Sequence, residues 1–414
     1  MADGILKSYR ILDLTNEKGA LCGKMLADLG ADVIKIEPPE GDSSRRRGPF
    51  YHDTPHPERS LFWFAYNANK RGITLNLKSE VGRDIFLKLV EGADVVVESF
   101  RPGYMTGLGL GYKKLKKVND KIIMASITAF GRKHTKNIVG DSDLFVMASS
   151  GMMSLCGDDD RSPVCIGYPQ AYLHASGQCA VGIAMALYVR EVTGKGQYVD
   201  VSAQQSTIPS CYSARPFWDL NQTIIMRAGC MRKGHSTNAI HHQTWRCKDG
   251  YVTFLILSGE GGKRSNKNLI GWMKEEGQAD DYLRSIDWDQ FNVVVASQDE
   301  IDRISDPICR FFAAHTKAEL YEGARNRKIM LCPVNTIEDI VTDQQLQERD
   351  FWQVVSHPEL SDTFTYPGRF VRLSSTDNMG VRKAPHLGEH NCEILGELGF
   401  TKSDLVAMRG AGII

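Results

Sequence analysis

The sequence predicts an α/β fold of the Rossmann-like kind, with a parallel sheet between layers of helices. Three observations predict it. Short β-branched runs alternate with amphipathic segments through the first half of the chain. The runs are almost continuously hydrophobic, as in strands that are buried on both faces, and the segments between them have the length of a crossover helix, about 10 to 15 residues. The 414 residues, 42% of them hydrophobic, are enough to form the cores of more than one domain.

The order of the elements follows from this alternation. A first strand in YRILDLT leads into a helix of small residues, and further strands follow in GADVIKIE, ADVVVESF and KIIMASITAF, with a helix after NLKSE. From Leu173 to Arg190, small and apolar residues recur at helical spacing, which predicts a closely packed, buried helix. The strand QYVDVS comes after it.

The sequence changes character near Trp245. WRCKDGYVTFLIL predicts a hairpin that turns across Lys248 to Gly250, and the glycine-rich segment SGEGGK and several amphipathic helices follow. We therefore expect a large Rossmann-like domain over residues 1–225, a small α+β domain over 226–329, and a return of the chain to the large domain over 330–414.

Composition and charge argue against several functional classes. Lysine plus arginine and aspartate plus glutamate number 50 each, and this balance does not favour nucleic acid as a partner. No stretch approaches the roughly 20 apolar residues of a membrane helix, and MADGILKSYRILDLT lacks the apolar segment of a secretory signal, so we expect a cytoplasmic protein. Ten cysteines are scattered without a CxxC pair, and no GxGxxG follows the first strand, so neither a metal nor a dinucleotide is predicted.

Six sequence blocks stand out, in order, over nearly the whole chain. They are LADLGADVIKIEPPEGD, NKRGITLNLK, ADVVVESFRPGYMTGLGLGY, YPQAYLHASGQCAVGIAMAL, QQLQERDFW and APHLGEHNCEILGELG. Together they resemble the family III CoA-transferases, the group that contains formyl-CoA transferase and carnitine CoA-transferase. Each block alone is a weak signal, but six in the correct order indicate both the fold and CoA as a ligand.

The resemblance implies an architecture and a chemistry. Family members form the large domain from both termini with the small domain between, and two chains are threaded through one another as interlocked rings. They pass CoA between carboxylic acids through an aspartate, which forms a mixed anhydride and then an aspartyl-CoA thioester. CoA and acyl-CoA are therefore expected as substrates, with no permanently bound cofactor.

The resemblance also implies which residues contact CoA. By position these are Asn16, Glu17, Lys18, Leu75, Lys78, Ser99, Phe100 and Leu108. Two basic positions of the family are Pro38 and Gly107 here, so we expect Arg101 and the run from Arg45 to Arg47 to supply replacement charge for the phosphates. The segment Ser258 to Gly262 matches a family loop that closes over the reacting thioester.

The position of the family's aspartate decides the mechanism. Family members place it after a G-x-P turn and two further residues, and here the turn is Gly167 to Pro169 and the position is Tyr172. The residues beyond keep the family spacing, so no gap brings an acid into the slot. A phenol has a reference pKa near 10, against about 3.9 for aspartate, and would form an aryl ester in place of an anhydride. We therefore expect Tyr172 to be a space-filling ring with a hydrogen-bonded hydroxyl, His174 to be a helix-entry residue, and the chain to contribute no catalytic residue.

Other acids near this position have ordinary interpretations. Asp143 matches an acid that supports the site in the family, and the triplet Asp158 to Asp160 is typical of solvated charge in a turn. Racemases of the same superfamily use a histidine and an aspartate as paired bases. Their positions are Ser142 and Tyr172 here, so racemisation is not expected.

Three functions remain open from the sequence. The first is a subunit without the nucleophile, paired with an aspartate-bearing related chain in a heterodimer or heterotetramer. Members of the family that move CoA from succinyl-CoA to an aromatic succinate, in anaerobic aromatic degradation, are built from two related chains. The second is a self-sufficient homodimer that uses another carboxylate, such as Asp143. The third is a CoA or acyl-CoA binding protein without chemistry.

Overall fold

The computed structural model describes residues 4–133, 140–212, 214–233, 239–374, 376 and 380–414. The chain separates into two compact units: the first is Met1–Met152, Cys165–Thr223 and Gln344–Ile414, and the second is Met153–Val164 and Ile224–Asp343. The division into domains at residues 225 and 329 stays a prediction.

The first unit is built on a six-stranded parallel sheet. Its strands are β1 (Arg10–Leu14), β2 (Asp32–Glu37), β3 (Arg71–Thr74), β4 (Val95–Glu98), β5 (Ile123–Thr128) and β6 (Tyr198–Ser202). Their order is β3-β2-β1-β4-β5-β6, and all neighbours pair in parallel. This order is that of a doubly wound dinucleotide-binding sheet, so the predicted α/β fold with a parallel sheet is confirmed. The sequence analysis did not identify β3, which has only four residues and contains Gly72.

The remaining strands form smaller sheets. A two-stranded sheet contains β7 (Met231–Lys233) and β8 (Ile240–His242). A three-stranded sheet contains β9 (Thr244–Cys247), β10 (Gly250–Phe254) and β11 (Leu331–Pro333). Another two-stranded sheet contains β12 (Trp352–His357) and β13 (Asp362–Pro367). The predicted hairpin across Lys248 to Gly250 is confirmed by the antiparallel pairing of β9 and β10.

The helices of the first unit are α1 (Ala20–Asp28), α2 (Leu61–Asn67), α3 (Glu80–Glu91), α4 (Tyr104–Gly107), α5 (Tyr112–Val118), α6 (Asp143–Ser149), α7 (Ala171–Thr193), α8 (Ala203–Thr207), α9 (Ala214–Asn221), α15 (Gln344–Glu348), α16 (Asn391–Glu397) and α17 (Lys402–Gly410). Those of the second unit are α10 (Glu260–Glu275), α11 (Asp281–Ser285), α12 (Gln298–Ala313), α13 (Lys317–Arg327) and α14 (Ile337–Val341).

Helix α3 illustrates how the sheet is covered. Ser79 accepts a hydrogen bond from the backbone N–H of Gly82 and so caps the helix, and Glu80 places a negative charge in its first turn. Ile85, Phe86 and Leu89 lie on one side of the helix and join the buried core under the sheet.

The C-terminal segment covers the β3 edge of the same sheet. The backbone N–H of Thr74 donates to Asn391 Oδ1 at 2.9 Å, and that of His390 donates to the Gly72 carbonyl at 2.9 Å. A Cβ at Gly72 would lie 2.9 Å from the Pro385 ring, so only glycine allows this close approach. The two ends of the sequence therefore share one core, which also contains Ile394 and Leu395.

Helix α7 differs from its prediction. The side with Ala175, Cys179, Ile183 and Leu187 is buried, as predicted from the small residues. The other side exposes large apolar residues, so the helix is buried on one face only.

The second unit has its own aromatic core. Trp245, Phe254, Phe311 and Phe312 are buried in one cluster, with edge-to-face ring contacts such as that between Trp245 and Phe312, whose centroids are 5.6 Å apart. This core lies among the β9-β10-β11 sheet and the helices of the unit.

The prediction of a loop at Ser258 to Gly262 is wrong for its last three residues. Helix α10 begins at Glu260, so Gly261 and Gly262 lie in its first turn, and Gly259 precedes it with φ +83°. Each glycine inside a helix costs about 1 kcal/mol relative to alanine. Burial of Leu269, Ile270 and Met273 along the same helix exceeds that cost.

Candidate functional site

The crevice at the switch point of the sheet is the natural place for a ligand. The chain leaves β1 toward β2 on one side and leaves β4 toward β5 on the other, although β1 and β4 are neighbours. The loops after these two strands diverge, and open α/β sheets bind ligands in the crevice between such loops. Here the loops carry Asn16, Glu17 and Lys18 after β1, and Ser99, Phe100 and Arg101 after β4.

A buried ion network holds the loop after β1. Asp13 accepts hydrogen bonds from the backbone N–H of Thr15 at 2.9 Å and from its hydroxyl at 2.6 Å. Lys70 Nζ lies 2.8 Å from the Asp13 carboxylate, and Lys35 Nζ donates to the carbonyl of Thr15. Burial opposes ionisation, but the ammonium groups of Lys70 and Lys35 hold the pKa of Asp13 below its ordinary value. These buried charged groups therefore hold the loop after β1 in place.

The two loops are joined across the crevice. The backbone N–H of Asn16 donates to Ser99 Oγ at 3.0 Å, and Ser99 Oγ donates to Asn16 Oδ1 at 3.0 Å. Asn16 Oδ1 also accepts from the N–H of Lys18 at 3.1 Å. Movement of either loop would therefore disturb the other.

Two cavities open at this place. The switch-point cavity, about 360 Å³, is lined by Lys18, Ser99, Phe100, Arg101, Pro102, Ile127, Thr128, Ala129, Phe130, Gly131, Gly140, Asp141 and Tyr172. The aromatic cavity, about 520 Å³, is lined by Glu17, Lys18, Arg47, Phe62, Tyr66, Asp141, Ser142, Asp143, Leu144, Tyr168, Pro169, Tyr172 and Leu173. Lys18, Asp141 and Tyr172 line both, so these three side chains lie at the border between the cavities.

Lys18 and Asp141 form an ion pair at this border. The hydrogen bond and the charge of Lys18, with a smaller contribution from Arg101, hold the pKa of Asp141 below its ordinary value. Lys18 Nζ also lies 5.7 Å from the centroid of the Tyr172 ring. The lysine charge is therefore directed toward Asp141 and Tyr172.

Tyr172 is fixed at the start of α7. Asp143 accepts the backbone N–H of Ala171 at 2.7 Å and that of Gln170 at 3.2 Å, and thereby occupies the N-terminus of the helix. The Tyr172 hydroxyl donates to the carbonyl of Asp141 at 2.5 Å, and the residue is only 7% exposed.

The environment of Tyr172 opposes its ionisation. Burial raises the pKa of its hydroxyl far above the ordinary value, and the negative charges of Asp141, Asp143 and Glu17 raise it further. A phenolate nucleophile is therefore disfavoured. The geometry agrees with the predicted role of Tyr172 as a space-filling ring with a hydrogen-bonded hydroxyl.

The structure brings together some of the residues predicted to contact CoA. Lys18, Ser99, Phe100 and Arg101 line the switch-point cavity, Asn16 is bonded to Ser99, and Glu17 lines the aromatic cavity. Leu75, Lys78 and Leu108 line neither cavity. Leu75 is 1% exposed in the core, Leu108 packs against that core, and Lys78 is exposed just before α3.

The expectation that the run from Arg45 to Arg47 supplies charge for phosphates is wrong for Arg45. Its guanidinium is 1% exposed and bidentate to Glu37, with nitrogen–oxygen distances of 2.6 and 2.8 Å, and lies 3.7 Å from the Trp63 ring. Of the three arginines only Arg47 lines a described cavity, where it lies 5.0 Å from the Phe62 ring.

Several residues of the site escaped the sequence analysis. The pairing of Lys18 with Asp141 spans 123 positions, and no local pattern indicates it. The hydroxyls of Tyr66 and Tyr168, 3.2 Å apart, join two distant segments around the aromatic cavity. Glu98 could have been singled out from the sequence, since a glutamate ends the otherwise apolar strand VVVE.

Two other predictions concern residues outside this site. Asp158 to Asp160 is exposed, with Arg161 at 3.6 Å from Asp160, as predicted for solvated charge. None of the described helices combines the length and apolar character needed to cross a membrane.

Comparisons with known proteins agree with the geometry. The chain matches the family model described as CoA-transferase family III over residues 6–391. It is 36% identical, over 95% of its length and 94% of the other chain, to the succinyl-CoA:(R)-benzylsuccinate CoA-transferase subunit BbsE of Thauera aromatica. It is 30% identical to the formyl-CoA:oxalate CoA-transferase of Streptomyces avermitilis, over 99% of both chains. The crystal structure of a CAIB/BAIF family protein from Brucella suis is similar with a TM-score of 0.78 at 26% identity, over 96% of this chain and 100% of that one.

Proposed function

Because the chain belongs to CoA-transferase family III, we propose that it is a subunit without a nucleophile, paired with a related chain that supplies the aspartate. The observation that carries the proposal is Tyr172, a buried, neutral phenol at the start of α7, where the sequence resemblance places the family's aspartate. Because the nucleophile of this chemistry must be ionised and must accept an acyl group, a hydrogen-bonded phenol cannot replace it.

The pairing is supported by a relative and by a surface. The relative from Thauera aromatica is named as a subunit of its enzyme. In this chain, α7 exposes Val181, Met185, Tyr188 and Val192, which follow one another at intervals of four, three and four residues. Such spacing produces one apolar stripe along a helix, which is typical of a helix that packs against another chain.

We propose further that CoA binds in the switch-point cavity of this chain. Arg101 lines that cavity and forms no close ion pair with any described residue, so its charge is available for a phosphate. Lys18 is less available because of Asp141. Replacing Arg101 by alanine should weaken CoA binding by about 1.5 to 3 kcal/mol, the range for a hydrogen bond to a charged group. Lys114→Ala, an equal charge change on exposed α5, is the control.

We propose that the complex transfers CoA from succinyl-CoA, the donor, to an aromatic succinate, the acceptor. The relative named for (R)-benzylsuccinate supports the pair. The aromatic cavity offers Phe62, Tyr66 and Tyr168 for a ring, with Arg47 for a carboxylate.

The self-sufficient transferase is the second candidate, and Asp141 is the observation that favours it. Its carboxylate borders both cavities and is held ionised by Lys18. Asp143 is less suited, since both of its oxygens accept backbone N–H groups of the α7 terminus.

One trapping experiment distinguishes the two. The full chain, alone and co-purified with an aspartate-bearing related chain, is incubated with succinyl-CoA and hydroxylamine, which converts an activated carboxylate into a hydroxamate that mass spectrometry locates. We expect transfer only by the complex, and the hydroxamate only on the related chain. Transfer by the chain alone, with a hydroxamate on Asp141 or Asp143, would establish the second candidate.

A further inference from the structure

Glu98 is a buried carboxylate at the carboxyl end of β4, directly before Ser99, Phe100 and Arg101. It is 6% exposed. Its Oε2 accepts the backbone N–H of Phe100 at 2.7 Å, and its Oε1 accepts the hydroxyl of Ser126, the residue beside it on β5. Both oxygens are thus engaged, one of them by the backbone of the turn that lines the switch-point cavity.

The bond to Ser126 continues across the sheet. The Tyr198 hydroxyl, on β6, donates to Ser126 Oγ, and the guanidinium of Arg132 lies 4.3 Å from the Tyr198 ring. Burial raises the pKa of Tyr198 to about 12, so the phenol remains a donor at neutral pH. The chain of donors ends at Glu98, and only the ionised carboxylate can accept at both oxygens.

The position of the turn matters for the whole crevice. Ser99 is bonded to the backbone and side chain of Asn16, so the loop after β1 follows any shift of the turn after β4. The Phe100 ring packs on Tyr104 with centroids 4.7 Å apart. Through its hydrogen bond with the Phe100 N–H, the Glu98 carboxylate therefore helps to fix residues on both sides of the switch-point cavity.

We propose that Glu98 is a positioning residue for CoA, whose ionised carboxylate fixes the turn from Ser99 to Pro102 and whose protonation releases it. The proposal rests on the proposed binding of CoA to this chain. When Glu98 takes up a proton, one oxygen becomes a donor, and the Ser126 hydroxyl and the Phe100 N–H then compete for the acceptor capacity that remains. The turn loses its anchor, and the cavity loses the geometry in which Ser99 and Arg101 face the ligand.

The surroundings set this protonation close to neutral pH. Burial raises the pKa of Glu98 to about 7, although the hydrogen bonds from Ser126 and Phe100 and the positive charge of Arg132 act to lower it. The charged and titratable groups that face it in the described structure are Arg132, after β5; Tyr198 and Asp200, on β6; and Arg101 and Tyr112, which line the same small cavity.

The first test compares CoA affinity in the full chain, alone and with its related partner chain, at pH 6 and pH 8, for the wild type and for Glu98→Gln. With a pKa near 7, the ionised fraction of Glu98 falls about tenfold between pH 8 and pH 6, and the apparent dissociation constant rises by up to that factor. The glutamine variant, neutral at both pH values, should bind more weakly than wild type at pH 8, and the two affinities should converge toward pH 6, where only about a tenth of Glu98 is ionised in the wild type. CoA's own phosphates titrate identically in both proteins, so the difference isolates Glu98.

If the ratio of the two proteins' dissociation constants for CoA stays the same from pH 6 to pH 8, the proposal is overturned. A purely structural role of Glu98 would lower the melting temperature of Glu98→Gln and leave that ratio independent of pH. Glu91→Gln, on the exposed side of α3, is the matched control and should follow wild type. If CoA binds to neither the chain nor the complex, the proposed function fails independently.

Amide hydrogen exchange at pH 8 then decides the positioning role without ligand. The amides of Ser99, Phe100, Arg101, Gly103 and Tyr104 should lose protection in Glu98→Met, whose side chain has no carboxylate or amide oxygen to accept the Phe100 N–H, while those of α3 keep it. Unchanged protection of the Phe100 amide would refute the anchor.

Discussion

At the scale of single residues, Tyr172 is a buried phenol at the border of the two cavities, at the position where the family resemblance places an aspartate. Its hydroxyl is satisfied by the Asp141 carbonyl, and its ring borders both cavities. The three acids that raise its pKa would act in the same direction on any carboxylate placed there. The surroundings of position 172 therefore disfavour an ionised nucleophile there.

We predict that Tyr172→Asp alone gives little covalent adduct, and that Tyr172→Asp combined with Asp141→Ala gives more. The second change removes the nearest like charge and releases Lys18 to stabilise a carboxylate at position 172. The measurement is mass spectrometry of the hydroxamate at position 172 after incubation with succinyl-CoA, with the partner chain's own aspartate inactivated.

Tyr172→Asn combined with Asp141→Ala is the control, since it has the same cavity without a nucleophile. If the double aspartate variant binds CoA and yet forms no adduct, the crevice has also lost the groups that position the acyl carbon, for which about 1 Å of misplacement costs a hundredfold in rate.

At the scale of elements, most strands of the parallel sheet could be predicted, and the site only in part. β1, β2, β4 and β5 are mostly apolar runs, although β1 contains Asp13 and β2 contains Lys35, and burial between two helical layers makes such runs recognisable in the sequence. Contacts between residues that are distant in the sequence cannot be predicted in this way. Arg45 looks like surface charge in the sequence RRR, but in the fold it contacts Glu37, Glu58 and Trp63.

Helix α7 depends on a carboxylate from a different helix. Gln170, at its N-cap, makes no capping bond with its side chain, and Asp143 of α6 accepts the first N–H groups instead. Asp143→Ala should lower the free energy of unfolding by about 0.5 to 2 kcal/mol, the usual cost of losing a cap. Asp143→Asn should cost less, since it retains one acceptor. Denaturant unfolding measures both, with the exposed Asp159→Ala as control; equal stability of all three would mean that Asp143 does not hold the helix.

At the scale of the whole molecule, α7 carries both a residue of the crevice and an exposed apolar surface. Its first turn holds Tyr172 at the crevice, while its outer side carries the apolar stripe of Val181, Met185, Tyr188 and Val192, which are 53% to 74% exposed. The buried side of the same helix packs on α1 and the sheet. A partner chain that covers the stripe would therefore contact the element that positions residue 172, and assembly and site would then be coupled through one helix.

The stripe provides the last prediction. Each large apolar side chain that is fully buried contributes about 1.5 to 3 kcal/mol, so charging Met185 and Val192 together should remove about 3 to 6 kcal/mol from association, or two to four powers of ten in Kd. We expect Met185→Glu combined with Val192→Glu to abolish co-purification with the related chain, as measured by light scattering after size exclusion, while the melting temperature of the isolated chain stays unchanged because both residues are exposed in it. Val406→Glu on α17 is the matched control: like Val192 it is 74% exposed, but it lies outside the stripe. A complex that survives the double substitution would place the partner on another surface. A complex that Val406→Glu disrupts equally would show that the added negative charge, rather than the stripe, governs assembly.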